Sequence, residues 1–110
     1  MILENGRRYT GEVDIHQIPN GKGTEFYQSG RILYRGNFEN GKKNGYGTFF
    51  YETGIVGYKG QFKENYMEGQ GLLYYQDTGN VLFNGTLHLG NFLKGNFYYE
   101  NSTLSETIEK

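Results

Sequence analysis

The chain has no cysteine and only one proline among its 110 residues. The first absence excludes disulfides and thiolate metal sites and leaves the redox compartment open. An excess of one charge is also missing, with 11 basic against 12 acidic side chains. That argues against whole-surface attraction to nucleic acid or lipid, so no nucleic-acid partner is expected. No apolar run approaches the roughly 20 residues of a membrane span. The opening MILENGRRYTG lacks the apolar stretch of a secretory signal, which gives an expectation of a cytoplasmic location. Of the two histidines, neither His16 nor His88 has a second ligand at zinc spacing. Ser29, Ser102 and Ser105 have no paired base. Glu12, Asp14 and Glu25 are near enough in sequence to converge as carboxylates, although acids alternating along a strand are usually solvated. The expectation is no enzyme, no metal and no cofactor.

What the chain has is 18 glycines, 11 tyrosines and 8 phenylalanines. These sit at fixed offsets, which argues for a repeat rather than disorder. The stretch Tyr34–Gly54, YRGNFENGKKNGYGTFFYETG, shows the unit most clearly. Its opening half recurs as YTG at Tyr9, YKG at Tyr58 and FNG at Phe83. Its closing half recurs as GKGTEFY, GYGTFFY, GQGLLYY and, imperfectly, LKGNFYY. Gly23, Gly47, Gly71 and Gly95 are equivalent, as are Tyr27, Tyr51, Tyr75 and Tyr99, at a spacing of 24. Each Gly-x-Gly leads into a strand rather than a helix, so these glycines are not phosphate loops.

Tyr-x-Gly-x-aromatic, a polar loop, then Gly-x-Gly before a hydrophobic strand resembles the MORN (membrane occupation and recognition nexus) repeat. Residues 34–57 and 58–82 match nearly throughout, with Phe38 and Phe62 where that family usually has Trp. Residues 9–33 carry Val13 at that place, and residues 83–100 are the poorest copy, with Leu87 and Leu93 as departures. The resemblance implies one domain over 1–110: an elongated, open, antiparallel, all-β sheet of tandem hairpins. It further implies a non-enzymatic scaffold for protein–protein interaction. Alternatives are binding to an anionic phospholipid surface, or an accessory or toxin–antitoxin-type partner role, where similar Gly/Tyr hairpins occur.

Strand alternation puts Tyr34, Gly36 and Phe38 on one face, opposite Gly45, Gly47, Phe49 and Tyr51 in the partner strand. A strand glycine leaves bare backbone over which a ring can lie. The Tyr27, Tyr51 and Tyr75 column is the expected occupant of those slots. Parity leaves Phe26, Tyr46, Phe50, Leu72, Tyr74 and Tyr98 on the other face as a candidate interaction surface. Arg31, Arg35, Lys42, Lys43, Lys59 and Lys63 make residues 31–63 basic and form a candidate anion-binding set, with Lys42 and Lys43 expected at a loop tip. Residues 64–110 carry six acids against Lys94 and Lys110, so only weak attraction to anionic lipid is expected. Asn84-Gly-Thr and Asn101-Ser-Thr fit the glycosylation pattern but read as turn chemistry. Eight strands are expected after a leading half repeat near Ile2–Glu4, their edges open to an edge-to-edge homodimer. The tail 101–110, with Thr103 and Glu106 at capping-box spacing, suggests a short C-terminal helix.

Overall fold

Left-handed two-residue turns fold this chain back on itself at regular intervals. The computed structural model describes residues 1–109. Its strands are β1 (Tyr9–Val13), β2 (Pro19–Phe26), β3 (Ile32–Glu39), β4 (Lys42–Phe50) and β5 (Val56–Lys63). β6 (Tyr66–Tyr74), β7 (Val81–His88), β8 (Asn91–Tyr98) and β9 (Leu104–Glu109) follow. Asn40 and Gly41, at φ 51° and 82°, turn β3 into β4, and Glu64 and Asn65, at 51° and 74°, turn β5 into β6. Positive φ at both central residues matches the twist of a hairpin. Every strand pairs antiparallel with the next, so spatial order equals chain order in one open nine-stranded sheet. The protein is elongated, with extents of 47 × 29 × 18 Å.

The register explains the repeat. Gly11, Gly23, Gly36, Gly47, Gly60, Gly71, Gly85 and Gly95 lie side by side across eight strands, and Ile108 of β9 ends the row. A parallel row carries Tyr9, Tyr34, Tyr58 and Phe83, all at most 1% exposed. Each of these rings lies over the glycine pair of its own hairpin. A side chain added at Gly47 would collide with the Tyr34 ring, one at Gly71 with Tyr58, and one at Gly23 with Tyr9. The hydroxyls escape burial costs by donating to the backbone carbonyls of Glu12 (2.7 Å), Asn37 (2.8 Å) and Gln61 (2.9 Å). Phe38 stands edge-on between Tyr9 and Tyr34, and Phe62 between Tyr34 and Tyr58, with centroids 5.0–5.2 Å apart. This edge-to-face order suits the quadrupoles of the rings. The inner face is thus its own core, without a second layer.

Several expectations need correction. The Gly-x-Gly slots are filled by the opening-strand Tyr34 and Tyr58, not by Tyr27, Tyr51 and Tyr75. Tyr51 lies just beyond the end of β4, too far along the strand to reach Gly47. Instead the Tyr27, Tyr51 and Tyr75 hydroxyls donate to the carbonyls of Phe50, Tyr74 and Tyr98 at 2.6–2.8 Å, bolting each repeat to the next. The tail forms strand β9, not a helix, because the open edge of β8 offers a ladder that a capping box does not outweigh. The strand count is therefore nine; Lys110 of the tail lies outside the described residues. Lys42 and Lys43 begin β4 rather than occupying a loop tip. Asn84 lies within β7, not in a turn, whereas Asn101 accepts from the Thr103 amide at 2.9 Å in a turn. The leading half repeat survives as one antiparallel bridge, Ile2 with Arg8.

Burial raises the phenol of Tyr34 well above its ordinary value and pushes that of Tyr58 up to about 12, outweighing the carbonyls that accept from them. In the unfolded chain both ionise near pH 10. Folded pKa values above unfolded ones mean stability that is intact below pH 10 and lost as pH rises beyond it. Each tyrosine should remove about 1.4 kcal/mol per pH unit in that window. Denaturant midpoints from pH 9 to 12 check this: Tyr58→Phe should flatten the decline, and an unchanged slope would contradict it.

Candidate functional site

The outer face arises from a repeated irregularity. At each return turn the register slips by one residue, so that Phe26 faces Ile32 while Glu25 faces Tyr34. The extra residue, Leu33, is buried, and Ile32 is thereby turned outward beside Phe26. The same slip pairs Phe50 with Val56, Tyr74 with Val81 and Tyr98 with Leu104. Four aromatic–aliphatic pairs therefore form one stripe along the ribbon. All eight side chains are half-buried except Leu104, which is 53% exposed. The bolting tyrosines hold the carbonyls of Phe50, Tyr74 and Tyr98, so the stripe is fixed from beneath.

A second row runs alongside it: Thr24, Arg35, Thr48, Lys59, Leu72, Asn84, Asn96 and Thr107, directly opposite one another strand by strand. With Tyr46 and Gln70 across the glycine floor, Arg35, Lys59 and Leu72 line a shallow trough of about 530 Å³. Arg8 and Arg35 place their guanidinium groups over the rings of Phe26 and Phe50, at 4.5 and 5.7 Å.

Of the expected interaction residues, Phe26, Phe50, Tyr74 and Tyr98 fall in the stripe. Leu72 lies in the neighbouring row, and Tyr46 stands alone beyond the glycines at 63% exposure. The expected cations disperse. Lys42 pairs with Glu64 at 3.0 Å, and Arg31 donates to the Thr53 carbonyl at 3.2 Å. Lys43 points to the inner face and pairs with Glu25 at 3.3 Å. Lys63 lies close enough to favour the charged form of Glu68. Arg35 and Lys59 share the outer row without an ion pair among the described residues.

Two features escaped the sequence reading. Ile32, Val56 and Val81 each lie two residues after Gly30, Gly54 and Gly79, an offset that marks them, but simple alternation from Tyr34 turned them inward. Glu25 occupies the core position that Phe49, Leu73 and Phe97 hold at the same 24-residue spacing. It is 2% exposed and is met by Asn5 at 3.0 Å, Lys43, and Arg7 at 4.0 Å, so it is buried and paired rather than solvated as acids along a strand usually are. It does not converge with Glu12, which accepts from the Lys22 amide, or with Asp14. Backbone amides of Ile18 and His16 hold the Asp14 carboxyl below its ordinary range. His88 bonds Glu68 at 3.0 Å on the surface, and His16 is exposed. Among the described residues no group of His, Cys, Asp and Glu is arranged to hold a metal.

No curated protein matches the chain. The MORN repeat family matches residues 34–56 and 58–79. Residues 34–79 of this chain are therefore MORN repeats.

Proposed function

We propose that this protein is a non-enzymatic scaffold whose outer stripe docks a protein partner. The observation that supports it is the stripe: four pairs of half-exposed aromatic and aliphatic side chains in register on a rigid single-layer ribbon. A contiguous apolar strip rimmed by polar residues suits a contact surface, and a backbone already fixed loses little freedom on binding. The shallow, open outer trough does not provide the enclosed polar site that catalysis needs.

Charge favours a protein over a membrane. Arg35, Lys59 and Lys63 are the basic groups of the set that form no salt bridge or hydrogen bond to a carbonyl among the described residues, and Lys63 is already partly offset by nearby Glu68. At about 1 kcal/mol each near an anionic surface, they supply about 3 kcal/mol, short of the ~4.1 kcal/mol of a millimolar Kd. Flotation with phosphatidylserine vesicles at about 0.15 M salt should therefore be weak. A partner captured from native lysate should be retained by wild type and lost with Phe50→Ser/Tyr74→Ser. Strong flotation abolished by Arg35→Glu/Lys59→Glu, with capture indifferent to the stripe, would overturn the proposal in favour of the membrane.

A further inference from the structure

The stripe has a measurable period, and the period discriminates among partners. Phe26, Phe50, Tyr74 and Tyr98 occupy every second strand, β2, β4, β6 and β8. With neighbouring strands about 4.8 Å apart, the rings repeat every ~9.6 Å. Arg35 on β3 and Lys59 on β5 flank them with the same two-strand spacing.

Three kinds of chain can present side chains along such a line. An extended strand returns to one side every two residues, at about 6.7 Å. An α-helix returns after seven residues, at about 10.5 Å, and drifts by about 3 Å across the three intervals of the stripe. A polyproline II helix has three residues per turn and a 3.1 Å rise, hence about 9.3 Å per turn, and drifts by only about 1 Å. It also has no internal hydrogen bonds to break when it follows the twist of the sheet. Aromatic-lined grooves are the usual seat of such segments.

Charge supplies the second constraint. With one residue of each turn on the rings, one of its two neighbours falls over the row that carries Arg35 and Lys59, and the other faces solvent. That row has no acidic side chain between β2 and β9. The complementary partner is therefore acidic at the residue beside its apolar one, at the β3–β5 end.

From the shared period and the basic flank we infer that the stripe receives a proline-rich segment of a partner protein in the polyproline II conformation. Its side chains alternate apolar, proline and acidic. The inference rests on the scaffold reading above and gives its partner a chemical class.

The test uses the full chain and a labelled synthetic peptide of four Leu-Pro-Glu units, with binding read by fluorescence anisotropy. The Leu-Pro-Lys counterpart and a helical peptide with leucine at every seventh position serve as comparators. Leu-Pro-Glu should bind at least about tenfold more tightly than either, a 1.4 kcal/mol margin. Arg35→Glu/Lys59→Glu should abolish its preference over Leu-Pro-Lys, and Phe50→Ser should weaken it at least about tenfold. Circular dichroism establishes that each variant is folded. A helical peptide that binds more tightly and is lost with Phe50→Ser would overturn the polyproline inference while leaving the scaffold reading intact. Absence of peptide binding, or binding indifferent to Phe50→Ser, would overturn the inference.

Discussion

Gly47→Val should cost about 3–5 kcal/mol and lower the melting temperature by roughly 15–25 °C. The reason is local: the valine side chain would occupy the volume of the Tyr34 ring, which lies directly over Gly47. Overpacking a filled site costs about 1–3 kcal/mol where neighbours can adjust. Here the neighbour is a fully buried ring held by the Asn37 carbonyl and by the edges of Phe38 and Phe62. Displacing it removes a large part of a stability of about 5–15 kcal/mol. Lys63→Ala, on the solvent side of β5, is the appropriate control and should cost within about 0.5 kcal/mol. Lys43→Ala does not serve, because its loss leaves the buried Glu25 carboxylate short of its nearest cation. Denaturant unfolding with equal costs for Gly47→Val and Lys63→Ala would remove the ring-over-glycine account.

Deleting residues 101–110 should be nearly as damaging and should change the association state. β9 pairs with β8 from Lys94–Glu109 to Tyr98–Leu104. It also places Ile108 beside Gly95 at the end of the glycine row, packed against the core. Without it, β8 becomes an edge whose backbone groups invite another chain. Each lost ladder bond forfeits about 1 kcal/mol net, so a loss of several kcal/mol is expected, together with concentration-dependent self-association. Sedimentation velocity with parallel melting checks both. An unchanged melting temperature and an unaltered sedimentation coefficient would show that β9 does not cap the sheet.

The repeat was legible because its two ingredients are written at fixed spacing. Tyr-x-Gly and Gly-x-Gly recur every 24 residues or so, and only stacked hairpins bring those positions into one row. The identity of the ring over each glycine was not legible. Alternation places both Tyr34 and Tyr51 on the inner face, and only the register shows that Tyr34 lies within reach of Gly47. The outer stripe was half legible. Its aromatic members follow parity along the closing strands, but the slip at Leu33, Gly57 and Leu82 reverses the facing of Ile32, Val56 and Val81. Such a slip depends on pairing between strands, which periodicity within one strand does not report. The tail misled because Thr103 and Glu106 satisfy a local helix signal, whereas the open edge of β8 is a property of the assembled sheet. Glu25 misled in the opposite direction, since its cations arrive from Arg7 and Lys43, each 18 residues away.

The central claim is a division of labour: inner rings hold the ribbon, and outer rings bind. Comparing Phe50→Ser/Tyr74→Ser with Tyr34→Leu in thermal melting and partner capture tests it most directly. The account predicts that Tyr34→Leu melts far below wild type. The outer double variant should melt within a few degrees of wild type and lose the partner. A double variant that unfolds as readily as Tyr34→Leu, or one that keeps the partner while folded, would contradict it.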